Sequence, residues 1–239
     1  MLFILSCLFF KNLSIVFTKK CSLFLKRHIS TFCILYISTF FERRLFTLKV
    51  EELKIGFILT GSFCTFNKVI PVIKELKEIG ADILPIMSYN AYNLDTKFGK
   101  ASDFINEIEL ITEKEIIHTI QGAEPIGPKG LTDIMIIAPC TGNTIAKLAN
   151  DIIDTPATMA AKSHLRNNKP LVIAISTNNG LSGNAENIGK LLNRKNYYFV
   201  PFKQDNPITK PRSLVFDFSY IPKTIEYALK GEQISPILL

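Results

Sequence analysis

Cysteine is scarce and poorly placed for cross-linking: there are five in 239 residues, with no Cys-x-x-Cys and no Cys/His cluster. Cys7, Cys21 and Cys33 fall in the first fifty residues, and Cys64 and Cys140 stand far apart. A disulfide framework and a zinc site are both unsupported, no metal ligand set is predicted, and a reducing cytosol is the simplest compartment. Long apolar runs are missing too. The longest uncharged run of the N-terminal part, Ile29–Phe41, has 13 residues, whereas a membrane span needs roughly 18 or more. The opening run Leu2–Phe10 follows no basic residue and precedes no small-residue cleavage site, which makes a poor secretory signal. Gly-x-Gly-x-x-Gly and Gly-Lys-Ser/Thr do not occur, so the usual dinucleotide and P-loop cradles are excluded.

Acid is lacking from one part only. The chain carries a formal net charge of +7, from 28 basic and 21 acidic residues. Residues 1–50 hold eight of the basic residues and one acid (Glu42), which leaves 20 of each sign in residues 51–239. The basic character therefore belongs to the N-terminal arm alone, and a nucleic-acid partner for the body is not implied. Three readings of residues 1–50 stay open: sequence translated from an over-early start, a disordered or membrane-surface arm, or a targeting or anchoring segment. In each case they form an extension rather than a domain.

What is present in the body, about 190 residues, is an alternation of buried-strand and amphipathic-helix patterns sized for one α/β domain. Lys54–Thr60 reads as a strand. Phe66, Val69, Ile70, Ile73, Leu76 and Ile79 recur at helical spacing up to Gly80. Asp82–Met87 reads as a second strand, weakened by Pro85. Thr112-Glu-Lys-Glu115 fits a capping box and predicts a helix start running through Ile116, Ile117 and Ile120. Asp133–Pro139 is a third strand, and a helix rich in small residues follows it. Thr155-Pro156 supplies a cap and a first-turn proline for Ala157–Leu165. Pro170–Ile175 and Tyr197–Val200 read as strands, with helices near Asn184–Leu192 and Pro222–Leu229. This order implies a Rossmann-like, doubly wound parallel sheet that binds ligands beyond the carboxyl ends of its strands.

Polar residues gather at those ends: Gly61-Ser62, Ser88, Thr141 with Asn143 and Thr144, and Ser176-Thr177-Asn178. Each has a plainer reading. Gly and Ser are ordinary in βα turns, and Thr and Asn are ordinary N-caps. Four such turns on one rim, with helix N–H groups facing outward, favour an anion such as a mononucleotide phosphate.

Thr60-Gly61-Ser62, Ser88 and Ala138-Pro139-Cys140-Thr141-Gly142-Asn143-Thr144-Ile145-Ala146-Lys147 resemble the flavoprotein family of FMN-dependent cysteine decarboxylases and flavin prenyltransferases. Pro139–Asn150, Asp154–Lys162, Asn187–Asn193, Tyr198–Pro207 and Lys210–Ser213 are similar to its dipicolinate synthase branch. The resemblance covers about residues 53–239. It implies a single flavoprotein domain over residues 51–239. It implies FMN held by Gly61, Ser62, Phe63, Ser88, Thr141, Gly142, Asn143, Thr144 and Ser176. It also implies a homo-oligomer and an A-type dipicolinate synthase partner carrying NADP. Together the two proteins would oxidise a dihydrodipicolinate-level precursor to dipicolinate, the calcium chelator of bacterial spores.

Two departures bear on the chemistry. The decarboxylases place a His shortly before the third strand, where this chain has Glu124-Pro125-Ile126. The prenyltransferases place an Arg after the fourth strand, where this chain has Ser176-Thr177-Asn178. A stand-alone decarboxylase or prenyltransferase is thereby disfavoured, while a non-catalytic support role stays open. His118 and His164 fall in stretches that read as helical, and both are expected to be surface or packing residues. Cys140 lacks a paired base and is expected to pack. A dicarboxylate substrate calls for cationic or amide donors. Asn143 is the expected carboxylate contact, with Lys147 four residues on as a second catalytic candidate. Lys147 is equally suited to pairing with Asp151.

Overall fold

The structure is a computed structural model that describes residues 52–239. The readings of residues 1–50 lie outside the described residues. The chain begins its sheet with β1 (Lys54–Leu59), passes a short 3₁₀ turn at Phe63–Thr65 and enters α1 (Phe66–Glu78). Then come β2 (Asp82–Met87), α2 (Tyr89–Asn93), α3 (Ala101–Thr112) and α4 (Ile120–Ala123). Next are β3 (Ile134–Cys140), α5 (Gly142–Ala149), α6 (Pro156–Leu165), β4 (Leu171–Thr177) and α7 (Ala185–Leu192). The chain closes with β5 (Tyr197–Phe199), the pair β6 (Phe202–Asn206) and β7 (Lys210–Phe216), and α8 (Ile221–Leu229).

The strand order is β2-β1-β3-β4-β7-β6, with β5 also paired to β4. The pairs β1–β2, β1–β3, β3–β4 and β4–β5 are parallel, as the βα alternation predicts. From β1 the chain winds outward to β2 and then crosses back to β3 on the other side. The order therefore reverses between β1 and β3, and such a switch point opens a crevice at the strand ends. All seven residues of β3 are buried, as are six of the seven in β4. Central strands covered on both faces need this near-continuous apolar run. β2 lies at the sheet edge, where Pro85 costs no ladder bond on the outer side. On α1 the predicted stripe Phe66, Val69, Ile70, Ile73 and Leu76 is buried, while Ile79, its last member, is the half-buried C-cap.

Two elements differ from expectation. Thr112-Glu-Lys-Glu115 ends a helix instead of starting one. α3 buries Ala101, Phe104, Ile108 and Thr112. The Thr112 hydroxyl donates back to the Ile108 carbonyl at 2.8 Å, and Glu113 stops the helix in a left-handed conformation at φ 58. Ile116-Ile117 then runs extended, Ile117 bridging Ile86 on the β2 edge. The short helix that follows is capped by Thr119, which accepts from the Gly122 N–H. Tertiary burial of Thr112 and Ile116 outweighs the local capping pattern. The second difference is the hairpin β6–β7, which adds an antiparallel pair to the otherwise parallel sheet. Four of the five β6 residues are exposed, so no apolar alternation announces that strand.

Candidate functional site

At the carboxyl ends of β1, β3 and β4 the structure opens a cavity of about 600 Å³, within the size range of small-molecule sites. Thr60 holds two of these strand ends together. Its hydroxyl donates to the Pro139 carbonyl at 2.7 Å and accepts from the Thr141 N–H at 3.0 Å. Ser62 and Ser176 join the other ends, their hydroxyl oxygens 2.8 Å apart. Thr141 is the N-cap of α5, its side chain accepting from the Thr144 N–H. The first N–H groups of α5 have no acceptor within the helix and carry the positive end of its dipole.

Gly142 could carry no side chain here. A Cβ on it would stand 2.4 Å from the Thr177 hydroxyl, 2.5 Å from the Asn184 amide nitrogen and 2.7 Å from the Asn179 side-chain oxygen. Those atoms already form a network. The Asn179 oxygen accepts from the Thr177 hydroxyl at 2.6 Å and from the Asn184 amide at 2.7 Å. The close approach of α5 to this network shapes one wall of the cavity.

Of the predicted binding residues, Gly61, Ser62, Phe63, Thr141, Gly142, Asn143 and Ser176 line the cavity. Ser88 and Thr144 do not. Ser88 is the N-cap of α2, and its own N–H bonds the Leu59 carbonyl. Thr144 is buried, with its hydroxyl 3.1 Å from that of Thr141. Asn143 is exposed at the cavity, and its amide has no protein hydrogen bond among the described residues. Lys147 points elsewhere. It forms a two-pronged ion pair with Asp154 at 2.7 and 2.8 Å and lines a separate hollow of about 300 Å³. Its alternative partner, Asp151, instead binds Arg194 at 2.8 Å. The i, i+4 spacing put Lys147 near Asn143 in sequence, but the C-terminal turn of α5 faces away from the strand ends.

Cys140 packs as expected, since it is fully buried and burial pushes its thiol well above the ordinary range. His164 is also a packing residue. Its Nε2 lies 2.9 Å from the Pro170 carbonyl, which can only accept, so Nε2 bears the proton and Nδ1 accepts from the Thr132 hydroxyl at 2.8 Å. Burial pulls its pKa down to about 4. His118 is not helical: it precedes α4 and stacks on Tyr92 with ring centroids 3.9 Å apart. Neither histidine lines the cavity.

The second wall came without warning. The hairpin contributes Asp205, Lys210, Ser213 and Leu214, and Lys68 of α1 and Phe218 complete that side. Lys68 sits over the Phe218 ring at 5.5 Å. Only the motifs Tyr198–Pro207 and Lys210–Ser213 reached this wall, and nothing in their composition pointed to the cavity.

A rim of hydroxyl, amide and helix N–H donors at the switch point of a parallel sheet suits a phosphorylated ligand. The model of the family described as Flavoprotein matches residues 46–216. The chain belongs to the Flavoprotein family. Within this family it falls in the branch of the dipicolinate synthase B subunits. The dipicolinate synthase B subunit of Bacillus subtilis (strain 168) is 46% identical over 186 residues, covering 78% of this chain and 93% of that one. The crystal structure of the dipicolinate synthase B subunit from Bacillus halodurans C is 49% identical, covers 77% of this chain and 95% of that one, and superposes with a TM-score of 0.71. A more remote flavoprotein, the FMN-dependent cysteine decarboxylase SpaF, shares the fold at 21% identity and a TM-score of 0.58, over 75% of this chain and 98% of that one. No helix among the described residues of this family member is long and apolar enough to cross a membrane.

Proposed function

We propose that this chain is the flavin-binding component of a dipicolinate synthase. In this reading it works in the cytosol with a nicotinamide-binding partner to oxidise a dihydrodipicolinate-level precursor to dipicolinate during sporulation. The observation that carries the reading is the donor-rich cavity in a chain 46% identical to a dipicolinate synthase B subunit. The residues present fit FMN. Ser62, Thr141 and the first N–H groups of α5 would take its phosphate, and Gly142, with no side chain, lets the start of α5 pack against the Asn179 network beside them. Gly61, Phe63 and Ser176 would line the flavin, while Ser88 and Thr144 brace the rim from behind. When bound, FMN supplies two-electron redox chemistry.

The chain's own part is to hold and orient. The Asn143 amide, which has no protein hydrogen bond among the described residues, would donate to a substrate carboxylate. Among the described residues the cavity wall carries no histidine and no carboxylate other than the ion-paired Asp205. The general base would therefore come from the partner, whose nicotinamide would serve as the terminal electron acceptor, and the chain alone would form no dipicolinate. The test is reconstitution. Dipicolinate formation should require both the chain and a nicotinamide-binding partner that co-purifies with it. Asn143→Ala should lower the turnover of the complex while leaving FMN content and partner binding intact. Full activity of the lone chain, or of the Asn143→Ala complex, would overturn the proposal.

A further inference from the structure

The second wall of the cavity carries charge that phosphate binding at the first wall does not use. Lys68 lines the cavity from α1 with no ion-pair partner among the described residues. Lys210 lines it from β7, where its ammonium is 2.5 Å from the Asp205 carboxylate across the hairpin. An adjoining hollow shares Asn178, Lys210 and Ser213 with the cavity and adds Arg212, which also has no acidic partner among the described residues. Two cations thus face one carboxylate in the cavity, with Arg212 in the adjoining hollow, and this side attracts anions.

The Lys210–Asp205 pair is open to water, with side chains 55% and 38% exposed. An ion pair in that setting contributes little. A ligand carboxylate that covers Lys210 and excludes water gains a stronger, charge-assisted contact. Asp205 therefore holds Lys210 only weakly against a competing carboxylate.

We propose that Lys68 and Lys210 form a receptor for a ring dicarboxylate, and that Asp205 is an internal stand-in which the ligand displaces from Lys210. The two lysines come from separate elements and line one cavity, so a dianion offers each of them a carboxylate, whereas a monoanion leaves one of them unmatched. Asp205 then keeps the empty receptor from holding stray monocarboxylates. This inference rests on the reading above, in which a ring diacid occupies the cavity beside the flavin.

Substitutions at the two ends of the Lys210–Asp205 pair should act with opposite signs. Calorimetric titration of the full chain with pyridine-2,6-dicarboxylate and with pyridine-2-carboxylate reads binding directly. Flavin content is followed separately by absorbance. The wild type is expected to prefer the diacid. Lys68→Gln and Lys210→Gln should each weaken diacid binding by about fivefold to twentyfold, and Asp205→Asn should tighten it by about threefold to tenfold. Lys68→Arg, which keeps the charge, should stay within about threefold of wild type. All three side chains are exposed, and unchanged melting curves would show that each variant folds. Equal diacid affinity in the wild type and both Gln variants, weaker binding in Asp205→Asn, or no diacid binding at all would overturn the inference. The expected pattern in a protein that takes up no flavin would overturn the proposed function and leave the receptor standing.

Discussion

Two residues show how a position, more than a residue type, decides the outcome of a substitution. Gly142 and Gly189 are both helical glycines. Gly142 has three polar atoms within 2.7 Å of where a Cβ would stand, and Gly189 has nothing within 4 Å. Gly142→Ala must push α5 off the Asn179 network, and we expect a loss of about 1–3 kcal/mol in stability together with weaker FMN binding. Gly189→Ala should stabilise by about 0.5–1 kcal/mol, because it only removes backbone freedom from the unfolded chain. Denaturant titration of the two variants reads both signs, and a stabilising Gly142→Ala would refute the close approach. His164 makes a pH prediction. Its folded pKa of about 4 lies below its ordinary 6.5, so the unfolded chain binds the extra proton first. Stability should be constant for this group above about pH 6.5 and fall by about 3 kcal/mol as the pH drops towards 4. Asp133, held below its ordinary 3.8 despite partial burial by bonds from Lys169 and Lys54, acts only at lower pH. His164→Gln should remove the slope between pH 6.5 and 4, and an unchanged slope would refute the assignment.

At the scale of elements, the site depends on how strand ends are joined. Thr60 is 1% exposed and links β1 to the β3–α5 turn through one donated and one accepted hydrogen bond. Thr60→Val keeps the shape but strands the Pro139 carbonyl and the Thr141 N–H. We expect a cost of about 2–4 kcal/mol, because two buried polar groups lose their partner. Ser62→Val and Thr141→Val act on the ligand directly, each weakening FMN by roughly 1–3 kcal/mol. Melting curves and flavin titration separate the two effects, and a Thr60→Val protein as stable as wild type would sink the clamp. The first wall was legible in the sequence because βα turns announce themselves through short polar residues after apolar runs. The hairpin wall was not, because an exposed antiparallel strand such as Lys203–Asn206 has no apolar period to detect. Thr112–Glu115 misled for a related reason. A capping box is a local signal, and the burial of Thr112 against the sheet is not local.

For the whole molecule, the charge division suggests where the folded unit begins. The excess of +7 sits in residues 1–50, and the described sheet starts at Lys54. A chain beginning near Val50 is expected to fold, with a cooperative melt and FMN affinity matching the full chain. Loss of cooperativity on truncation would overturn this. The same chain should bind FMN in preference to NADP, since one phosphate cradle is built and β2 ends at Met87 and leads into Ser88, with neither an acid for an adenosine ribose nor an Arg for its 2′-phosphate.

The sequence by itself determined the α/β alternation, the parallel core and the first wall of the cavity. These follow from periodicity, from turn residues and from what a strand buried on both faces must contain. Only the tertiary structure decided which polar side chains share the cavity. It turned Lys147 to Asp154 and Ser88 to the cap of α2, and it brought Lys68, Asp205 and Lys210 to the opposite wall. Charged side chains on exposed elements carry no periodic signal, and their partners are fixed by packing between segments distant in the chain.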